Sequence, residues 1–262
     1  RRSGMTRKLV AALACRMNGS RLYGKPLQAL SGNVTILDQI VSALRTFSFI
    51  DEIVLGISKG VANLTFVEKA HELGCRYVFG DEQDVLSRLV ACGRLGAATD
   101  VFRVTTECPF FDYSMLSEAW DRHVRLGHDI TVLDFVPEGA GFEIYTLAAL
   151  ERSHREGMDG DRSEFCSNYA RFNQRLFKVE ILRPAEKSAR TDLRLTVDYP
   201  EDLVICRAVY KAFTNRAPCV PLGEIVQFLD RRSDLKALVA PYVDERPVWY
   251  GQPQRSEPRA SS

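Results

Sequence analysis

A chain of 262 residues with 45% hydrophobic content can bury a sizeable core, and its length fits one large domain. Its net charge of +1 gives no global attraction to nucleic acid or membrane surfaces, so any anion site must come from a local concentration of cations. No apolar run approaches the ~20 residues that a membrane-spanning helix needs, and a soluble, cytoplasmic protein is expected.

The chain opens RRSGMTRK ahead of the apolar LVAALAC. That run is short, and Arg16 follows it where a secretory leader would carry a small-residue cleavage site. It reads as a first buried strand, with residues 1–4 a cloning remnant ahead of a native Met5. TILDQIVSALRTF then places Ile36, Leu37, Ile40, Val41 and Leu44 at helical spacing, with Thr35 as a cap. DEIVLGIS, CRYVFG and DVFRVTT read as strands, separated by the helices NLTFVEKAHELG and DVLSRLVACGRLG and followed by the helix DYSMLSEAWDRHVRLG. Such alternation predicts an α/β fold of three layers, a mostly parallel twisted sheet with helices on both faces. In the second half DITVLDF, GFEIYTL, RLFKVEILRP and LRLTVD are expected strands, and LAALERSHREG, PEDLVICRAVYKAF and PLGEIVQFLDRR expected helices. Residues 5–250 are taken as a single domain and 251–262 as a disordered polar tail. Seven scattered cysteines, never in CxxC spacing, indicate neither a zinc site nor a disulfide framework.

Between the first strand and the first helix lies RMNGSRLYGKPL, which sets Arg16, Arg21 and Lys25 around Gly19, Ser20 and Gly24. In a doubly wound sheet ligands bind beyond the carboxyl ends of the strands, and this loop is the usual place for phosphate. Glycines let backbone N–H groups approach an anion closely, and Ser20 adds a hydroxyl donor. The loop reads as a polyphosphate cradle, with a solvated basic loop as the bland alternative. GxxxxGK[ST] is absent and no GxGxxG follows the first strand, which removes P-loop kinases and disfavours dinucleotide dehydrogenases. Two acids close apolar runs, Glu107 after VFRVTT and Asp198 at the end of LRLTVD. A ligand for a hard cation and a helix cap would both sit there.

RMNGSRLYGKPL resembles the RMGSxRLPGKxL signature of sugar-activating nucleotidyltransferases, in particular cytidylyltransferases of the spore-coat polysaccharide type and, more distantly, those that make CMP-linked acidic sugars. GDEQDVLSR, FRVTTECPFFD, GFEIYTLAALERS and LRLTVDYPEDL resemble four further blocks of that family in the same order, so the resemblance spans about residues 9–213. It implies a GT-A-like, Rossmann-like fold and transfer of CMP from CTP to a small anionic acceptor, an acidic sugar, sugar phosphate or phosphonate, with release of pyrophosphate. Arg16, Arg21 and Lys25 would neutralise charge during catalysis. The nucleotide would meet Ala12, Leu13, Arg16, Gly19, Ser20, Lys25, Gly80, Asp81, Asp84, Val85 and Arg88. Glu143 and Arg194, with Arg190 nearby, would face the acceptor, and Glu107 and Asp198 would hold Mg²⁺. Relatives often pair through the irregular second half, which implies a homodimer. Departures from the pattern are Gly19 for serine, Tyr23 for proline, Glu107 for aspartate and Phe165 for histidine. They motivate the alternative of a non-catalytic nucleotide-binding relative that acts as a sensor or subunit.

Overall fold

The apolar run after Lys8 forms β1 (Leu9–Cys15), and its alternating side chains enter two different cores. Leu9, Ala11, Leu13 and Cys15 join one apolar cluster, while Val10 and Ala12 join the other, so this strand needs cover on both faces. The computed structural model describes residues 6–253; the expected cloning remnant at 1–4 and the tail from 254 onward lie outside the described residues. After β1 come the small ribbon β2 (Ala29–Ser31) and β3 (Val34–Thr35), then α1 (Ile36–Leu44), β4 (Ile50–Ser58), α2 (Thr65–Leu73), β5 (Arg76–Gly80), α3 (Val85–Leu95) and β6 (Asp100–Thr105). The second half runs α4 (Leu116–Leu126), β7 (Ile130–Leu133), β8 (Phe142–Thr146), α5 (Leu147–Glu156), the short α6 (Asp159–Arg162) and α7 (Asn168–Phe172), β9 (Val179–Leu182), α8 (Pro200–Ala212), α9 (Leu222–Asp230) and α10 (Ser233–Val239).

The main sheet has seven strands in the order β5-β4-β1-β6-β8-β7-β9. β5, β4, β1 and β6 are parallel neighbours, β8 pairs antiparallel with both β6 and β7, and β9 returns parallel to β7. The expected mainly parallel sheet with helices on both faces is thus the observed one, and β8 alone runs against the rest. Helices α1, α2, α4, α8, α9 and α10 pack on one face, and α3, α5 and α7 on the other.

Two expectations are corrected. LRLTVD is extended but is no strand, because its backbone finds loop partners instead of a ladder: Leu195 N–H donates to Glu138 O at 2.7 Å and Val197 N–H to Glu107 O at 2.9 Å. DITVLDF and GFEIYTL are no exposed pairing strands for a dimer, since β7 and β8 lie inside the sheet, whose edges are β5 and β9. The ribbon β2–β3 and helices α6, α7 and α10 were not legible as elements; each is short and gains its apolar partners only in the fold.

At the head of β6 the fully buried Asp100 accepts from Arg7 Nε at 2.6 Å and Thr99 Oγ1 at 2.6 Å, and pairs with His123 of α4 at 3.1 Å. Burial pushes its carboxyl up, but the bonds from His123, Arg7 and Thr99 outweigh burial and hold it below the ordinary value. A depressed carboxyl contributes stability above its unfolded value, near ~3.9, and loses it as the pH falls further. Asp100→Asn is therefore expected to cost about 3 kcal/mol at pH 7, by the usual cost of breaking a buried pair. In urea unfolding the gap to wild type should narrow below about pH 4; an unchanged gap would show that the pair does not carry this pH dependence.

Candidate active site

The loop after β1 is shaped by its glycines. Gly24 sits at φ 60°, in the left-handed region, and its N–H donates to Met17 O at 2.8 Å, closing the loop on itself. A side chain at Gly19 would meet the Leu22 carbonyl oxygen at 2.3 Å. Asn63 Oδ1 holds Met17 N–H at 2.7 Å from the neighbouring β4–α2 connection. So folded, Arg16, Gly19, Ser20, Arg21 and Lys25 all line one cavity of about 390 Å³ at the carboxyl ends of the strands. Each cation already has a partner. Lys25 Nζ lies 2.6 Å from Asp198 Oδ1, Arg16 Nη2 lies 2.9 Å from Glu164 Oε2, and the Arg21 guanidinium sits 4.6 Å above the Tyr199 ring.

Across that cavity, β6 delivers Arg103 and Thr105, the turn after it Glu107, and the extended segment Asp198. The Val197–Glu107 backbone bond sets the two acids beside each other. Burial pushes the Glu107 carboxyl above its ordinary value; Lys25 draws it down and the Asp198 charge adds to the rise. Behind Asp198 stands Arg194, which donates to Asp202 at 3.0 and 3.1 Å, pairs with Glu138 and lies 3.5 Å from Asp198 Oδ2.

A second cavity of about 250 Å³ opens from the same residues, sharing Arg103, Thr105, Glu107, Glu138 and Asp198 with the first. Phe111, Phe142 and Trp249 give it apolar walls. Arg103 Nη1 donates to Glu143 Oε2 at 2.9 Å, Trp249 Nε1 to Glu143 Oε1 at 2.8 Å, and the Tyr145 hydroxyl to Glu143 Oε2 at 3.2 Å. Trp249 is itself held because Asp134 accepts the N–H groups of Val248, Trp249 and Tyr250 at 2.9, 2.8 and 2.9 Å.

The other expected site residues are distributed differently. Ala12 and Leu13 lie inside the core, and Ala14 is the β1 residue that reaches the first cavity. Of the block after β5, only Val85 and Arg88 line it. Asp81 instead accepts from Gln83 and Asp84 N–H in a tight turn, Asp84 caps α3 through Ser87 N–H and bonds His154, and Gly80 leaves room for Arg88. The Arg88 guanidinium is buried and donates to Cys15 O at 3.0 Å and Gly56 O at 2.9 Å, so it ties β1 to β4. Arg194 lines neither cavity; its donors are spent on carboxylates, which makes it a buried support and not an acceptor contact. Arg190 is likewise committed, to Asp192 and Asp230 on the surface. Glu143 does line the second cavity, but as the partner of Arg103. Among residues given no site role in the sequence are Arg103, Glu138, Glu164 and Trp249, the last expected only to pack back on the domain or to mediate a subunit contact. Only Arg103 carried a signal, a lone cation within the apolar run VFRVT.

No family model matches the chain. It is 27% identical over 227 residues to the spore coat polysaccharide biosynthesis protein SpsF of Bacillus subtilis, covering 85% of this chain and 94% of that one. Its fold matches a cytidylyltransferase of Leptospira borgpetersenii with a TM-score of 0.76, at 20% identity over 88% of this chain and 96% of the other. It also matches a CMP:2-keto-3-deoxy-manno-octonic acid synthetase solved with CTP, with a TM-score of 0.61 at 13% identity, over 78% and 99% of the two chains. The fold is thus the Rossmann-like α/β fold of the nucleotidyltransferases. Within that class the chain is similar to the spore coat polysaccharide protein by sequence and to the cytidylyltransferases by fold.

The Arg16–Glu164 pair lies across the cavity mouth, where an entering anion must compete with Glu164. Exposed pairs are worth about 0.2 to 1 kcal/mol, so Glu164→Gln is expected to tighten CTP binding about two- to fivefold by calorimetry. Unchanged affinity would show that Glu164 does not compete for Arg16.

Proposed function

We propose that the chain transfers CMP from CTP to a small acceptor and releases pyrophosphate. The observation that carries this reading is the meeting of two cavities, one rimmed by three cations and the other walled by rings, along a line marked by Glu107 and Asp198. CTP would lie in the first with its phosphates over Arg16, Arg21 and Lys25, and the acceptor in the second. An acceptor oxygen then attacks the α-phosphorus in line, and the bond to the bridging oxygen breaks. The electron pair leaves on pyrophosphate, which the three cations hold.

Glu107 and Asp198 fit a divalent cation of the Mg²⁺ kind, which takes a few carboxylates and completes its shell with phosphate oxygens and water. No group of three or more acidic, histidine or cysteine side chains among the described residues is placed to hold a metal ion by itself, so the phosphates would supply much of the coordination. Such a cation supplies charge neutralisation on the phosphates when bound. Lys25 and Arg194 keep Asp198 in place meanwhile, by bonds from two sides.

The choice of cytosine rests on the relatives, as does the place of the reaction in polysaccharide synthesis. No helix of the described residues is long and apolar enough to cross a membrane. The reaction is assigned to the cytoplasm and the assembly to a homodimer, for which the β9 edge is an open sheet margin.

Pyrophosphate release with CTP, Mg²⁺ and a panel of acceptors tests the reading. Lys25→Ala is expected to lower turnover about 100-fold, the usual cost of one lost transition-state donor, and Asp198→Ala at least as much. Release no greater in wild type than in Asp198→Ala would overturn catalysis. Mg²⁺-dependent CTP binding that persists without turnover would instead favour a sensor or subunit.

A further inference from the structure

The charges around the second cavity restrict what can enter it, if it receives the acceptor as the functional reading requires. Arg103 is the one cation among the described residues that line it, and it also lines the nucleotide cavity. The other charged groups of the lining are carboxylates and, Glu107 and Asp198 aside, each is already engaged. Asp134 holds four backbone N–H groups, Glu143 holds Arg103 and Trp249, and Glu138 is paired from behind by Arg194.

We propose that the acceptor carries a single anionic group at its reacting end, as a phosphate monoester does, and that its body bears no second anion. A guanidinium offers five donors in a planar fork suited to phosphate, and Glu143 takes one of those of Arg103. Trp249 fixes the other oxygen of Glu143, so the fork is held toward the junction of the cavities. A carboxylate on the body would lose its water among Asp134, Glu138 and Glu143 with no free cation to receive it. Hydroxyl groups can donate to the spare lone pairs of Glu138 and Glu143, and a sugar face can lie on Phe142 or Trp249. A phosphate nucleophile also balances the chemistry. Its oxyanion forms the new bond to the α-phosphorus, pyrophosphate departs with the electrons of the broken bond, and no proton has to be removed.

Calorimetry on the full chain, saturated with Mg²⁺ and a CTP analogue whose α–β bridge is methylene, tests this with two matched probes. Glucose 1-phosphate and glucuronic acid 1-phosphate differ by one carboxylate on the body. The first is expected to bind and the second to bind at least about 30-fold more weakly, as like-charge juxtaposition requires. Arg103→Leu should abolish binding of the first, and Arg103→Lys should keep part of it. Equal or tighter binding of the glucuronic acid compound, binding that survives Arg103→Leu, or no binding of either probe to the nucleotide-loaded protein would overturn the proposal. Failure of the CTP analogue itself to bind would remove the functional reading on which it rests, a separate and visible outcome.

Discussion

The guanidinium of Arg194 is the interaction on which the site depends. It is buried, and taking a charge out of water costs several kcal/mol unless the surroundings replace the lost hydration. Here Asp202, Glu138, Asp198 and the Tyr242 carbonyl do so. Burial lowers the affinity of Arg194 for its proton, yet Asp202 and Glu138 outweigh that and raise it above the ordinary value. Asp202 in turn accepts the N–H groups of Asp198 and Tyr199 at 2.9 Å each, so the start of α8 is locked to the same cation. Three segments distant in sequence, at Glu138, at 194–202 and at Tyr242, are thereby fixed to one point.

In the ligand-free protein the cradle is electrostatically quiet. Asp198 and Glu164 occupy two of its cations, and Tyr199 covers the third. Cations left bare in a concave loop would repel one another, and intramolecular carboxylates remove that strain at the cost of competing with any incoming anion. A polyphosphate would win the exchange because it brings several charges at once, where each internal partner brings one. The pairs therefore act as a filter for charge density as well as supports for the loop.

How far the sequence reveals this arrangement follows from the range of the interactions. The parallel half is readable because each strand and helix announces itself within about ten residues, by period and by cap; Thr35 accepting Asp38 N–H is such a local signal. The cradle is readable for the same reason, as its cations and glycines adjoin in one loop. Asp81 and Asp84 mislead because a turn acid and a ligand acid look alike in sequence, and only the hydrogen bonds to Gln83, Asp84 and Ser87 separate them. LRLTVD misleads because alternation reports two-sided burial, not the identity of the backbone partner. Trp249 is beyond local reading altogether, since Glu143 lies 106 residues earlier.

The reversal of β8 divides labour within one sheet. On one side of β6 the parallel strands present the first cavity, and on the other the antiparallel pair β8–β7, closed by Trp249, presents the second. The two territories touch only at the junction residues that both share. Descendants of such a chain could therefore trade one cargo for another by drift in the Trp249 strap and its rim, while the inherited phosphorus chemistry stays under separate selection. Diversity of products within a lineage would then be recorded in the antiparallel half of the sheet, and common ancestry in the parallel half.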